Sequence, residues 1–72
     1  MSIAKVIELS ASSSESFEDA IRQGIERAGK TLDNIQSAWV HEQHVKVEGN
    51  NITAWRVIMK ITFVLDEDVD ED

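Results

Sequence analysis

The sequence predicts an α+β domain of order β-α-β-β, with a three-stranded antiparallel sheet partly wrapped around one helix. Three observations predict it. The closing segment Ile52 to Leu65 is apolar at Trp55, Val57, Met59, Ile61, Phe63 and Leu65, an unbroken core face at period two. Phe17, Ala20, Ile21, Gly24, Ile25 and Ala28 recur at helical spacing as one narrow stripe. Glu48-Gly49-Asn50-Asn51 lies between two strand-like runs, and Gly and Asn are the residues that tolerate the positive φ of a tight hairpin.

The elements follow in order. Ala4 to Leu9 is a short β-branched strand. Ser10-Ala11-Ser12-Ser13-Ser14 then breaks it, because serine hydroxyls compete for backbone donors, and Ser13 or Ser14 is the expected N-cap. The helix is expected from about Ser14 to Ala28. Glu15, Glu18 and Asp19 suit its positive end, Glu18–Arg22 and Gln23–Arg27 stand at i,i+4, and Gly29 is placed to end it. A second strand spans Ile35 to Glu48. By simple alternation Ile35, Ser37, Trp39, His41, Gln43, Val45 and Val47 share one face, and Gln36, Ala38, Val40, Glu42, His44, Lys46 and Glu48 the other; neither is cleanly apolar. Residues 1–66 form the expected domain. Asp66-Glu67-Asp68-Val69-Asp70-Glu71-Asp72 closes the chain as an acidic run, expected to be a solvated tail over 67–72.

The closing strand has a consequence for assembly. Its even face, with Ile52, Ala54, Ile58, Thr62 and Val64 among Arg56 and Lys60, is too apolar to be left in water. One helix covers only one side of a sheet, so the other side is expected to meet another copy of the chain. Size points the same way. A chain of 72 residues buries only about 60% of its unfolded surface. With no cysteine, disulfides and zinc–thiolate sites are excluded, and oligomerisation is the remaining support.

Fourteen acidic against seven basic side chains give a net charge of −7. That argues against nucleic acid or an anionic membrane as partner, since both call for a cationic surface. No apolar run approaches the roughly 18 residues of a membrane span, and the N-terminus lacks the pattern of a signal peptide. The expectation is a soluble, cytoplasmic, single-domain protein. Catalysis finds little support, for there is no cysteine nucleophile, no glycine-rich phosphate loop and no nucleophile elbow. The chain is read as a non-enzyme.

Several side chains carry two readings. Trp39 is an aromatic ligand platform or an anchor between subunits. Trp55, in the apolar row of the third strand, packs against the helix or a neighbour. Arg56 and Lys60 share a strand face about 13 Å apart, too far for one small anion, and are expected to pair with Glu42 or Glu48 of the same or a neighbouring chain. His41 and His44 fall by alternation on opposite faces and cannot chelate one metal within a chain. Glu42, alternating with Ala38 and Val40, offers a carboxylate that a symmetry axis would repeat around a cation.

Lys5-Val6-Ile7-Glu8-Leu9, Ser12-Ser13 ahead of Ser16-Phe17-Glu18-Asp19-Ala20-Ile21, Ala28, Lys30-Thr31-Leu32-Asp33-Asn34-Ile35 and Phe63-Val64-Leu65 together resemble the dodecin family of small flavin-binding proteins. The resemblance covers about residues 3–66. It implies a β-α-β-β dodecin-like fold, a hollow homododecamer, and flavin (riboflavin, FMN or lumichrome) bound, stored and sequestered at subunit interfaces. In flavin-binding members a tryptophan early on the second strand stacks on the isoalloxazine ring, and a glutamine on the third strand bonds the ring edge. Here those positions hold Ser37 and Arg56, while Trp39 lies two residues, about 7 Å, further along the strand. The resemblance thus implies Trp39, Ser37 and Arg56 as the lining of a changed flavin pocket. Members with such substitutions are associated with other ligands such as calcium, so a cation-binding or ligand-free assembly of the same fold is the alternative.

Overall fold

The computed structural model describes residues 3–65, so the expected acidic tail at 67–72 lies outside the described residues. Its elements are β1 (Ala4–Ser13), α1 (Phe17–Ala28), β2 (Ile35–Glu48) and β3 (Asn51–Val64). The strands form one antiparallel sheet in the order β1-β3-β2, which puts the most apolar strand at the centre. The helix packs across β1 and β3.

The core sits where the helix stripe meets the odd row of β3. Val57, Met59 and Ile61 are fully buried, Phe63 nearly so, and Ala20 and Ala28 close the helix side. Burial of a side chain of this size stabilises by about 1.5–3 kcal/mol. Small residues on α1 bring it close. A Cβ built on Gly24 would stand 2.6 Å from Met59 Cε and 3.2 Å from Ala11 Cβ. The apolar row ends at Phe63, since Leu65 lies beyond the strand and is 54% exposed.

Two boundaries differ from expectation, each for a local reason. β1 does not stop at Leu9. Ser10, Ala11, Ser12 and Ser13 continue the ladder opposite Ile58, Val57, Arg56 and Trp55, and a full row of cross-strand bonds outweighs serine's preference for turns. The helix therefore begins later, and neither Ser13 nor Ser14 is its cap. Ser16, in extended conformation (φ −170°, ψ 166°), caps it by accepting a hydrogen bond from Asp19 N at 2.9 Å. Ser13 is buried beneath this turn. Its hydroxyl donates to Asp19 Oδ2 at 2.6 Å and accepts from Glu15 N at 2.9 Å. Gln23 turns back to donate to Asp19 Oδ2 at 2.5 Å rather than pairing with Arg27, while Arg22 meets Glu18 at 3.6 Å and Asp19 at 3.7 Å.

Gly29 ends the helix as expected, its N–H donating to Ile25 O at 2.9 Å, though in right-handed rather than left-handed conformation. β2 keeps its expected limits. Gly49 (φ 59°) and Asn50 (φ 67°) form the two-residue turn into β3, with the paired positive φ values that match strand twist.

The largest departure lies inside β2. Its register against β3 shifts between Ile35 and Ser37 and again between Val40 and Glu42. Each bulge inserts a residue and reverses which face the following side chains occupy. Ser37 and Trp39 therefore share the helix-free face with Thr62 and Lys60, while Ala38 and Val40 turn to the helix side opposite Ile61 and Met59. After the second bulge Glu42 and His44 return to the helix-free face opposite Ile58 and Arg56. The expectation that Glu42 alternates with Ala38 and Val40 is thus corrected. His41 falls within the bulge, so alternation does not set it against His44.

Candidate functional site

The register builds the site row by row on the face of the sheet that the helix leaves bare. Across β1, β3 and β2 the rows read Val6, Thr62, Ser37; then Glu8, Lys60, Trp39; then Ser10, Ile58, Glu42; then Ser12, Arg56, His44. The three residues implied as pocket lining, Ser37, Trp39 and Arg56, are all exposed and all on this one face. Ser37 and Trp39 occupy adjacent rows. Arg56 is four residues along β3 from the Trp39 row, about 13 Å away.

Trp39 dominates the surface. It is 66% exposed, the most exposed of the large hydrophobic side chains. An indole left in water on the edge strand of a sheet forgoes a burial worth several tenths of a kcal/mol to a few kcal/mol, so such a residue marks a surface that something else covers. Lys60 lies directly opposite, its Nζ 5.7 Å from the indole centroid, within range of a cation–π contact. The pairing of Lys60 with Glu42 or Glu48 is not seen within the chain. Glu48 instead meets Lys46 at 3.4 Å.

Sequence reasoning placed Arg56 and Lys60 together but missed two neighbours that matter. His44 stands directly opposite Arg56, and Glu8 directly opposite Lys60. Both depend on cross-strand register, and His44 also on the bulge. Trp55 is half-buried on the helix side opposite Ser13 and Val45, in keeping with a packing role.

The other side of the sheet holds a groove of about 610 Å³ between the free edge of β1 and α1. Ile7, Leu9, Ala11, Gln23, Arg27 and Leu32 are among its walls, and none of Ser37, Trp39 or Arg56 reaches it. Among the described residues no group of three or more His, Cys, Asp or Glu side chains stands close enough to hold a metal ion. Among the same residues no helix is long and apolar enough to cross a membrane.

Asp19 lies off this face, at the helix start. The Ser13 hydroxyl bonded to its carboxylate holds its pKa below the usual 3.8, partial burial opposes this, and Gln23 and Arg22 add to the lowering. That network fixes the β1–α1 corner rather than serving a ligand.

Known proteins with the same architecture cover almost the whole chain. Residues 3–66 match the family model of dodecin. The calcium dodecin of Mycobacterium tuberculosis is 32% identical over 63 residues, covering 88% of this chain and 89% of its own. The structure of a dodecin from Streptomyces davaonensis superposes with a TM-score of 0.86 at 36% identity, covering 92% of this chain and 97% of that one. The structure of the Mycobacterium calcium dodecin, described with a novel calcium-binding site, gives 0.78 at 28% identity over 89% and 91% of the two chains. With the element order, the central β3 and the helix across one face all in place, the chain belongs to the dodecin family.

Proposed function

We propose that this protein is a non-enzymatic binding protein that takes a flavin (riboflavin or FMN) between aromatic surfaces of neighbouring copies and stores it in a stacked, quenched state. One observation carries the reading: Trp39 is 66% exposed on the same helix-free face as Ser37 and Arg56. A second copy laid against that face would bury the indole and sandwich a planar ring. Ser37 leaves space beside the platform where a larger side chain would stand. Arg56 offers donors to ring carbonyls. The assembly this requires is a homo-oligomer, with a dodecamer the form expected of the family. It is read as cytoplasmic.

The test is a titration of riboflavin and FMN followed by flavin fluorescence. Quenching that saturates near one flavin per chain or per two chains is expected. Trp39→Ala should weaken binding by about 1–3 kcal/mol, the scale of an aromatic stacking contact, while native mass spectrometry shows an unchanged oligomer. No quenching at micromolar protein, or unaltered affinity in the variant, refutes the reading.

A second reading rests on the relative named calcium dodecin. Glu42 and Glu8 stand on the helix-free face, and carboxylates repeated by symmetry between copies would bind a hard cation. Thermal stabilisation by calcium and not by magnesium would favour it over flavin.

A further inference from the structure

We infer that the groove between the free edge of β1 and α1 is a separate binding site for an amphipathic monocarboxylate, its alkyl chain lying along β1 and its carboxylate on Arg27. The site is distinct from the helix-free face, since none of Ser37, Trp39 or Arg56 lines it. Its floor is the row Ile7, Leu9 and Ala11, alternate residues of the edge strand that stand opposite Ile61, Met59 and Val57 on the helix side. Its wall is polar. Gln23 and Arg27 stand at i,i+4 on the flank of α1, and Thr31 follows in the turn beyond. Gly24 and Ala28 line the junction with almost no side chain, and Leu32 adds a further apolar contact. The volume of about 610 Å³ falls within the roughly 300–1,000 Å³ of small-molecule sites, and an apolar lining with a few polar groups is their usual composition.

Charge selects the ligand's head. The chain carries fourteen acidic and seven basic side chains, yet no Asp or Glu lines this groove and one Arg does. The other polar side chains of the wall are already donating, Gln23 to Asp19 Oδ2 at 2.5 Å and Thr31 Oγ1 to Ala28 O at 3.4 Å. Asp19 is itself held by Ser13 and Arg22 and does not compete. Arg27 makes no ion pair among the described residues, so its fork of N–H donors is the set left for a ligand, in the geometry that matches a carboxylate. One guanidinium balances one negative charge, whereas a phosphate monoester, at about −1.5 to −2, would stay undercompensated on a chain of charge −7. Spacing selects the tail. Ile7 to Ala11 covers about 13 Å of strand, the reach of a medium-length alkyl chain.

The experiment titrates the intact assembly with sodium octanoate, sodium decanoate and 1-octanol by calorimetry, below micelle-forming concentrations, for the wild type, Arg27→Gln and Leu32→Ala. The expected result is saturable binding, with octanoate about fivefold tighter than 1-octanol at low salt. Decanoate should bind on the order of tenfold tighter than octanoate, because it buries two more methylenes. Arg27→Gln should bring octanoate down to the level of 1-octanol, and Leu32→Ala should weaken both alike. Methyl NMR locates the ligand: octanoate should shift Ile7, Leu9 and Leu32 and leave Val6 and Ile58, on the helix-free face, unmoved. Absence of saturable binding, as a groove closed by a neighbouring copy would give, overturns the site, and so do shifts confined to Val6 and Ile58. Equal affinity for octanoate and 1-octanol, or no response to Arg27→Gln, overturns the carboxylate assignment. A changed oligomer for Arg27→Gln in native mass spectrometry without ligand would make Arg27 a subunit contact and overturn it too.

Discussion

Gly24 is where sheet and helix come closest, and Gly24→Ala tests that proximity with a sign that is not obvious. In a solvent-exposed helix the change gains about 1 kcal/mol, because alanine loses less backbone entropy. Here the added methyl meets Met59 Cε at 2.6 Å, Ala11 Cβ at 3.2 Å and Leu9 Cδ1 at 3.4 Å. The end of a methionine is flexible, but Met59 is fully buried and its methyl has only packed surroundings to move into. Ala11 Cβ is carried on the β1 backbone and cannot rotate away. Overpacking of this kind costs about 1–3 kcal/mol, so the expected net effect is a loss of up to about 2 kcal/mol. Urea unfolding at fixed protein concentration measures it, since mass action makes the stability of an oligomer depend on concentration. Repeating the change in a Met59→Leu background removes the atom at 2.6 Å and should shrink the penalty by more than the ~0.5 kcal/mol expected of independent sites. A gain of about 1 kcal/mol from Gly24→Ala, or the same effect in both backgrounds, would refute the close packing of α1 on β3.

Three further outcomes follow from the same geometry. Ser16→Ala removes the hydroxyl that caps α1 and should cost about 1 kcal/mol by urea unfolding, whereas Ser14→Ala, on an exposed residue that caps nothing, should be near neutral. Asp19 has a native pKa below its ordinary value of 3.8, so its contribution is complete above that value and lost as pH falls through the lowered one. Asp19→Asn should therefore flatten the acid limb of the urea midpoint between about pH 5 and pH 2, and an unchanged slope would exclude the Ser13–Asp19 bond as its source. Because Trp39 is 66% exposed, Trp39→Ala should lower flavin affinity with no loss of secondary structure by circular dichroism; a collapse of the fold would instead make it a packing residue.

What could be read from the residues divides along a physical line. Element order, the limits of β2, the Gly49-Asn50 turn and the buried row of Val57, Met59, Ile61 and Phe63 all depend on local chemistry or on one strand's own alternation. The bulges of β2 depend on two strands at once, and nothing in Gln36 or His41 announces them. Alternation alone put Ser37 and Trp39 on one face, which survives because both lie between the bulges, and set Glu42 with Ala38 and Val40, which does not. Ser10 to Ser13 misled for a related reason. Their intrinsic preference is for turns, but pairing with Ile58 to Trp55 overrides it. For the site, the residue types were legible, while Lys60 above Trp39 and His44 beside Arg56 required the register.

The same register explains why the ligand reading and the assembly reading are one problem. The helix covers β1 and β3, leaving β2 with little cover on either face and an unpaired edge. The Cα radius of gyration is 15.1 Å, against about 11 Å for a compact chain of this length, because the β2–β3 hairpin reaches past the helix. A long exposed edge beside exposed Trp39 and Val47 is the pattern that a soluble monomer avoids. Covering it with a second copy would remove the edge, bury the indole and bring two Trp39 faces within reach of one ring system. Arg56 and Lys60 would then have to accept either a partner's carboxylate or the ligand's anion.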